Sequence, residues 1–120
     1  MTKFKLSATA IAVALALPGL SGAALAETNE ITIGITVTTT GPAAALGIPQ
    51  KNSVPMLPKE VAGQKIEYFV LDDATDPTKA VANARKMIAE NKIDYLIGSS
   101  GTPASMALVD IAGETKTPLC

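Results

Sequence analysis

Ile31, Ile33, Ile35 and Val37 alternate with Thr32, Gly34 and Thr36, a period-two strand pattern that sets the frame for everything downstream. The polar run Thr38-Thr39-Thr40-Gly41-Pro42 ends that strand and opens a loop to about Gly47. A second strand pattern follows at Lys65–Leu71 and a third at Ile93–Ile97. Between them Ala80, Val81, Ala84, Met87 and Ile88 form an apolar stripe at helical spacing, with Lys79, Asn83, Lys86 and Glu90 expected on the solvent side. Strands alternating with helical segments imply crossover connections, hence an α/β fold with a doubly wound parallel sheet. The common order for such sheets places the first strand between the other two, 2-1-3.

The segments between strands carry their own start signals. Asp76 before Pro77 predicts a capped helix running to about Glu90. Thr102 before Pro103 repeats that pairing and predicts a helix to about Gly113, with Ala104, Ala107, Leu108, Ile111 and Ala112 inward. The stretch Ile48–Val61 holds Pro49, Pro55 and Pro58, and is expected to be a short or kinked helix before a turn at Ala62-Gly63-Gln64. Thr117-Pro118-Leu119-Cys120 reads as the approach to a fourth strand. Tyr68 and Tyr95 fall on strands and are expected in the core.

Composition separates this part from the first 26 residues, where 17 positions are apolar against 40 of the remaining 94. Lys3 and Lys5 are followed by the apolar run Leu6–Leu17, then by Pro18-Gly19 and the small residues of Ala24-Leu25-Ala26. These are the parts of a cleavable signal peptide, residues 1–26. The run is shorter than the ~20 residues that cross a bilayer, and it has no polar face such as a core helix would show. No cysteine lies near the cleavage site, so a lipid anchor is not expected, and the periplasm is the expected destination.

Lys plus Arg number 10 and Asp plus Glu 11, a balance that offers nucleic acid no electrostatic footing. Histidine is absent and Cys120 is the single cysteine, which excludes a His-based triad, a His-ligated metal and an internal disulfide. No glycine loop matches a dinucleotide fingerprint or a phosphate-binding P-loop. Asp72, Asp73 and Asp76 lack calcium-loop spacing and read as structural carboxylates rather than a cation site. No metal and no cofactor are expected.

In an open parallel sheet, ligands bind beyond the carboxyl ends of strands where the order reverses. Two loops meet there in the expected order, Thr38–Gly47 and Gly98–Ser105. The second runs into a helix N-terminus, where free N–H groups and the helix dipole favour an anion such as a carboxylate. Gly98 and Gly101 permit close backbone approach, and Ser99, Ser100, Thr102 and Ser105 supply hydroxyls. The same composition equally suits an ordinary Ser/Thr-capped loop.

The order of motifs carries a resemblance. The Ile-Thr-Ile-Gly strand, the Thr-Gly-Pro-Ala-Ala loop ending at Leu46-Gly47, Asp72-Asp73-Ala74-Thr75-Asp76-Pro77 and Ala80-Val81-Ala82 come in sequence, followed by Ile97-Gly98-Ser99-Ser100 and Ala104-Ser105. Over residues 30–120 the chain resembles the periplasmic solute-binding proteins of branched-chain amino-acid ABC transporters. The resemblance implies a two-lobed type I periplasmic binding protein fold that closes on its ligand without chemistry, so no enzyme is expected. It makes residues 27–120 the N-terminal portion of the first lobe, a truncated piece of a longer chain. It implies capture of a small carboxylate, such as a branched-chain amino acid or an aromatic acid, for delivery to a membrane permease. By the same likeness the carboxylate falls to Thr102, with Ala104 and Ser105 adjacent and Ser100 and Gly101 in the same loop, while Leu46 approaches the ligand's side chain. Several leucine-type members carry an aromatic residue where Leu46 stands and cysteines where Thr75 and Gly101 stand; this chain has neither. Other readings of the same pattern are an extracytoplasmic sensory domain and a secreted flavodoxin-like enzyme.

Overall fold

The computed structural model describes residues 30–120, so the expected signal peptide lies outside the described residues. Strand β1 (Glu30–Val37) leads into helix α1 (Ala44–Ser53), and a short 3-10 turn at Val54–Met56 follows. Strands β2 (Glu60–Val61) and β3 (Gln64–Asp72) come next, then helix α2 (Pro77–Lys86), which widens into a π-turn at Met87–Asn91. Strand β4 (Tyr95–Ile97) and helix α3 (Thr102–Thr115) complete the order.

The sheet runs β2-β3-β1-β4. β1 pairs in parallel with β3 on one side and β4 on the other, so the expected 2-1-3 order of the three long patterns is the observed one. Past α3, Leu96 bridges in parallel to Leu119, and the N–H groups of Leu96 and Gly98 donate to the carbonyls of Pro118 and Cys120. The segment after α3 therefore does begin another parallel pairing beside β4.

Register explains which side holds the core. Gly34 pairs with Phe69 and with Leu96, and Thr36 pairs with Leu71, so these residues share one face. α2 and α3 cover that face, and their buried Ala80, Ala84, Met87, Ala104, Leu108 and Ile111 cluster with Ile93 and Leu96. Gly34 makes the closeness possible: a Cβ there would stand 2.6 Å from the Ile93 side chain and 3.0 Å from the Met87 sulfur. Ile35 and Val37 point to the other face, where they meet α1 across a cavity of about 280 Å³ bounded also by Val54, Leu57 and Ile97. Both faces of β1 are thus covered near its carboxyl end, as a central parallel strand requires, one by apolar Ile35 and Val37 and the other by buried Thr36 and Thr38.

Several expectations change. The prolines do not delay the first helix to Ile48; α1 begins at Ala44 and carries Pro49 in its interior. Ala43, Ala44, Ala45 and Leu46 are good helix formers, and the turn from Gly41 to Ala44 starts them directly off the loop. Residues 60–61 are strand rather than helix, joining β3 as an antiparallel hairpin through Ala62-Gly63, both at positive φ. Asp76 does cap α2, accepting from the Thr78 N–H at 2.8 Å with Pro77 in the first turn. Thr102 does not cap α3: Gly101 occupies the cap position without a side-chain bond, and the helix runs to Thr115. Asn83 turns inward rather than to solvent, its amide donating to the Asp72 carbonyl at 3.0 Å. Tyr95 is exposed, whereas Tyr68 is half-buried with its hydroxyl on the Pro58 carbonyl.

Gly47 decides where α1 sits. A Cβ on it would lie 1.9 Å from the Thr38 carbonyl oxygen, so α1 rests directly on the end of β1. Gly47→Ala is expected to destabilise the chain by about 1–3 kcal/mol, because backbone cannot yield as a side chain can. Gly113, in α3 with open space around it, is expected to respond oppositely: Gly113→Ala should stabilise by about 0.5–1 kcal/mol. Urea denaturation of the two variants beside the parent checks both signs.

Candidate functional site

Because β1 lies between β3 and β4, the loops leaving all three strands converge at one edge of the sheet. Two adjacent carboxylates at the end of β3 organise this edge. Asp72 accepts from the N–H groups of Thr39 (2.8 Å), Thr40 (3.2 Å) and Ala74 (3.0 Å) and from the Thr40 hydroxyl (2.5 Å). Asp73 is fully buried and accepts from the hydroxyls of Thr38 (2.6 Å) and Thr36 (3.2 Å) and the N–H of Thr75 (3.1 Å). The two side chains hold the β1 loop from beneath, and neutral donors occupy both, which is how a carboxylate is tolerated at depth. Among the described residues no group of three or more acidic, His or Cys side chains is placed to hold a metal.

The β1 loop in turn touches the serine loop. The Thr38 N–H donates to the Ser100 hydroxyl at 3.2 Å, and the Thr38 and Ser99 hydroxyls lie 3.3 Å apart. From α1, Gln50 accepts the Ser100 hydroxyl proton at 2.5 Å. The two loops that composition singled out are therefore joined, and Thr38 is their meeting point.

A hydroxyl has one proton to give, so the donors left for a ligand can be counted. The Ser100 proton goes to Gln50, and the Ser105 proton goes to the Ser99 carbonyl at 2.8 Å. Thr38 spends its proton on Asp73, so in the Thr38–Ser99 contact Ser99 is the donor. Ser99 also accepts from the Gly101 N–H at 3.4 Å. The Ser105 N–H closes on the Gly101 carbonyl. Among the described residues, this leaves the Thr102 hydroxyl and the N–H groups of Thr102 and Ala104 without partners in the first turn of α3, and the N–H groups of Ser99 and Ser100 without partners in the loop before it. Those of the first turn form the positive end of a 14-residue helix dipole.

Of the residues singled out from sequence, Ser100, Gly101, Thr102, Ala104 and Ser105 are thus brought together, with Thr102 exposed and Ala104 buried. Leu46 sits apart from them on the first turn of α1 and is 58% exposed. The α1 residue that reaches the serine loop is Gln50, one helical turn further on. Starting the helix at Ala44 instead of Ile48 would have put Gln50 on the same face as Leu46. Thr38 and Asp73 were visible only as loop residues, since their pairing spans 35 positions.

Asp72 gives the site an acid sensitivity. Partial burial pushes its carboxyl up, but hydrogen bonds from the Thr40 hydroxyl and the N–H groups of Ala74, Thr39 and Thr40 outweigh this and hold it well below the usual carboxylate range. A carboxyl depressed by folding stabilises the fold above its unfolded pKa, about 4, and that contribution is lost as pH falls further toward the folded value. The melting temperature is therefore expected to drop on acidification from pH 5 toward pH 2. Asp72→Asn should melt lower at neutral pH and lose part of that acid slope, measured by thermal unfolding across the range.

The sequence profile of the periplasmic binding protein family matches residues 30–120. A Leu/Ile/Val-binding protein, BraC3 of Rhizobium johnstonii, is 30% identical over 95% of this chain. The structure of an extracellular ligand-binding receptor from Rhodopseudomonas palustris HaA2 is 61% identical over 75% of the chain, with a TM-score of 0.74. A solute-binding protein of an ABC transporter from Rhodopseudomonas palustris BisB5, in complex with 3,4-dihydroxybenzoic acid, is 30% identical over 76% of the chain with a TM-score of 0.69. The chain spans 30% of the length of the first of these relatives, 25% of the second and 26% of the third. Its sheet order, its matched residues and these likenesses agree, and the chain belongs to the periplasmic binding protein family.

Proposed function

We propose that this chain is the N-terminal part of the first lobe of an extracytoplasmic substrate-binding component of an ABC uptake transporter, capturing a small carboxylate. The observation that carries this reading is the donor count at α3: the unpartnered hydroxyl and N–H of Thr102 and the N–H of Ala104 offer donors, and no acceptor-only group, to an anion at a helix N-terminus. The ligand class is a branched-chain amino acid or an aromatic acid, in keeping with one relative described as Leu/Ile/Val-binding and another bound to 3,4-dihydroxybenzoic acid. The remainder of the cleft comes from a second lobe, and a membrane permease receives the ligand.

Residues 1–26 act as a cleavable signal peptide, and residues 27–120 are released into the periplasm without a lipid anchor. The apolar run, the Pro18-Gly19 break and the Ala24-Leu25-Ala26 site support this. Mass spectrometry of protein exported by a Gram-negative host is expected to find Glu27 at the N-terminus.

Calorimetry with leucine, isoleucine, valine, 3,4-dihydroxybenzoate and benzoate is expected to show heat with at least one of these acids. Thr102→Val should weaken that binding by about 1–3 kcal/mol, the worth of a hydroxyl paired with a carboxylate. Binding by none of the acids would refute the ligand class, and full affinity in Thr102→Val would refute the role of its hydroxyl.

A further inference from the structure

Asp73 is a carboxylate with no exposure and, among the described residues, no ion-pair partner, at the centre of a chain of hydroxyls that ends in the serine loop. Its Oδ1 takes the Thr38 proton, Thr38 Oγ1 takes the Ser99 proton, and Ser99 Oγ takes the Gly101 N–H. Each hydroxyl has a single proton, so the direction of the first bond dictates that of the others. The Thr38 backbone adds a second tie, its N–H on Ser100, whose own proton is drawn to Gln50. Asp73 also binds Thr36, but that hydroxyl stands outside the chain that reaches the loop; its other neighbour is Asn83 of α2.

We propose that Asp73 is a positioning residue for the Ser99–Thr102 loop, acting through Thr38 to fix both the place of the loop and the direction of the Ser99 proton. Asp73 itself touches no ligand. Its effect is to turn the Ser99 hydroxyl away from the cleft, so that the first turn of α3 remains the donor face. A serine free to rotate would accept or donate, and would blur any distinction between a carboxylate and its uncharged amide. Asp73 thereby sharpens selection for a carboxylate, a role that rests on the ligand class proposed above.

The test compares Thr38→Val, Thr38→Ser, Asp73→Asn and Thr36→Val by ¹⁵N–¹H NMR, with and without benzoate and benzamide as probes. Thr38→Val and Asp73→Asn are expected to shift the amide signals of Ser99, Ser100 and Gly101 and to speed Gly101 amide exchange roughly tenfold. Thr38→Ser, which restores the hydroxyl, should return them to the parent positions. Thr36→Val removes a hydroxyl from the same carboxylate and should lower the melting temperature while leaving those signals in place. The preference for benzoate over benzamide should narrow several-fold in Thr38→Val and stay at the parent value in Thr36→Val. The proposal is overturned if the loop signals stay put in Thr38→Val, or if Thr36→Val moves them as much. Should Asp73→Asn not fold, the Thr38 pair decides alone. If the parent protein binds neither probe, the claim that Asp73 sharpens selection for an aromatic carboxylate fails, and the ligand-free loop signals still decide whether Asp73 positions the loop.

Discussion

Two neighbouring carboxylates at the end of β3, Asp72 and Asp73, govern the carboxyl edge of the sheet. They emerge from an apolar strand at the point where β1 ends beside it, in register with Val37 and the threonines that follow. A carboxylate can satisfy several donors, and these two gather seven hydrogen bonds from the β1 loop, the end of β1 itself and their own turn. Thr36 and Thr38 are buried because Asp73 makes their burial affordable, their hydroxyls being paired rather than stranded. Without that pairing the polar end of β1 could not run so deep beside α2, and the loop above it would lose its floor.

Much of this architecture could be read from residue pattern alone. The strand patterns at 31–37, 65–71 and 93–97 show period-two or continuous apolar character, though only Tyr95–Ile97 of the last is strand, and the stripe through Ala80, Ala84 and Met87 is nearly ideal for a helix on a sheet. Asp76-Pro77 names its own helix start. The failures have local causes. Pro49 looks like a helix start but sits inside α1, where the packing of Gly47 on Thr38 outweighs the lost backbone bond. β2 is two residues long and exposed, too short to show any period. Thr102 resembles the Asp76 cap, yet the helix begins one residue earlier with Gly101 at the cap, and this leaves the Thr102 hydroxyl free.

The site was legible to the extent that it depends on composition. Serines, glycines and a helix start at a strand's carboxyl end can be recognised in one dimension, and the switch-point rule brings the two loops together. The pairings inside the site were not legible, because Thr38 with Asp73, Thr38 with Ser99 and Ser100 with Gln50 join residues 35, 61 and 50 positions apart. No local periodicity encodes such partners. Sequence offered four hydroxyls to a ligand; the structure commits three of them to internal bonds and leaves one.

That reduction has a physical logic for the proposed site, to which the described residues bring no cation. The two ion pairs among the described residues, Lys65 with Glu30 and Arg85 with Glu114, are exposed and away from this edge, and such pairs contribute little. From the described residues an anion held here would meet neutral donors, each worth little unless it is already aimed. Aiming is what the internal bonds supply: Ser105 and Ser99 brace the turn before α3, Gln50 and Thr38 clamp Ser100, and Asp73 orders the protons beneath them. A rigid ring of neutral donors holds its geometry before a ligand arrives, so less ordering remains to be done on binding. A free lysine in the same place would attract any anion, whereas a few fixed donors admit only one whose oxygens fit their spacing. On the proposed reading, selectivity for a carboxylate is bound up with the burial of Asp73 rather than with a charge displayed to solvent.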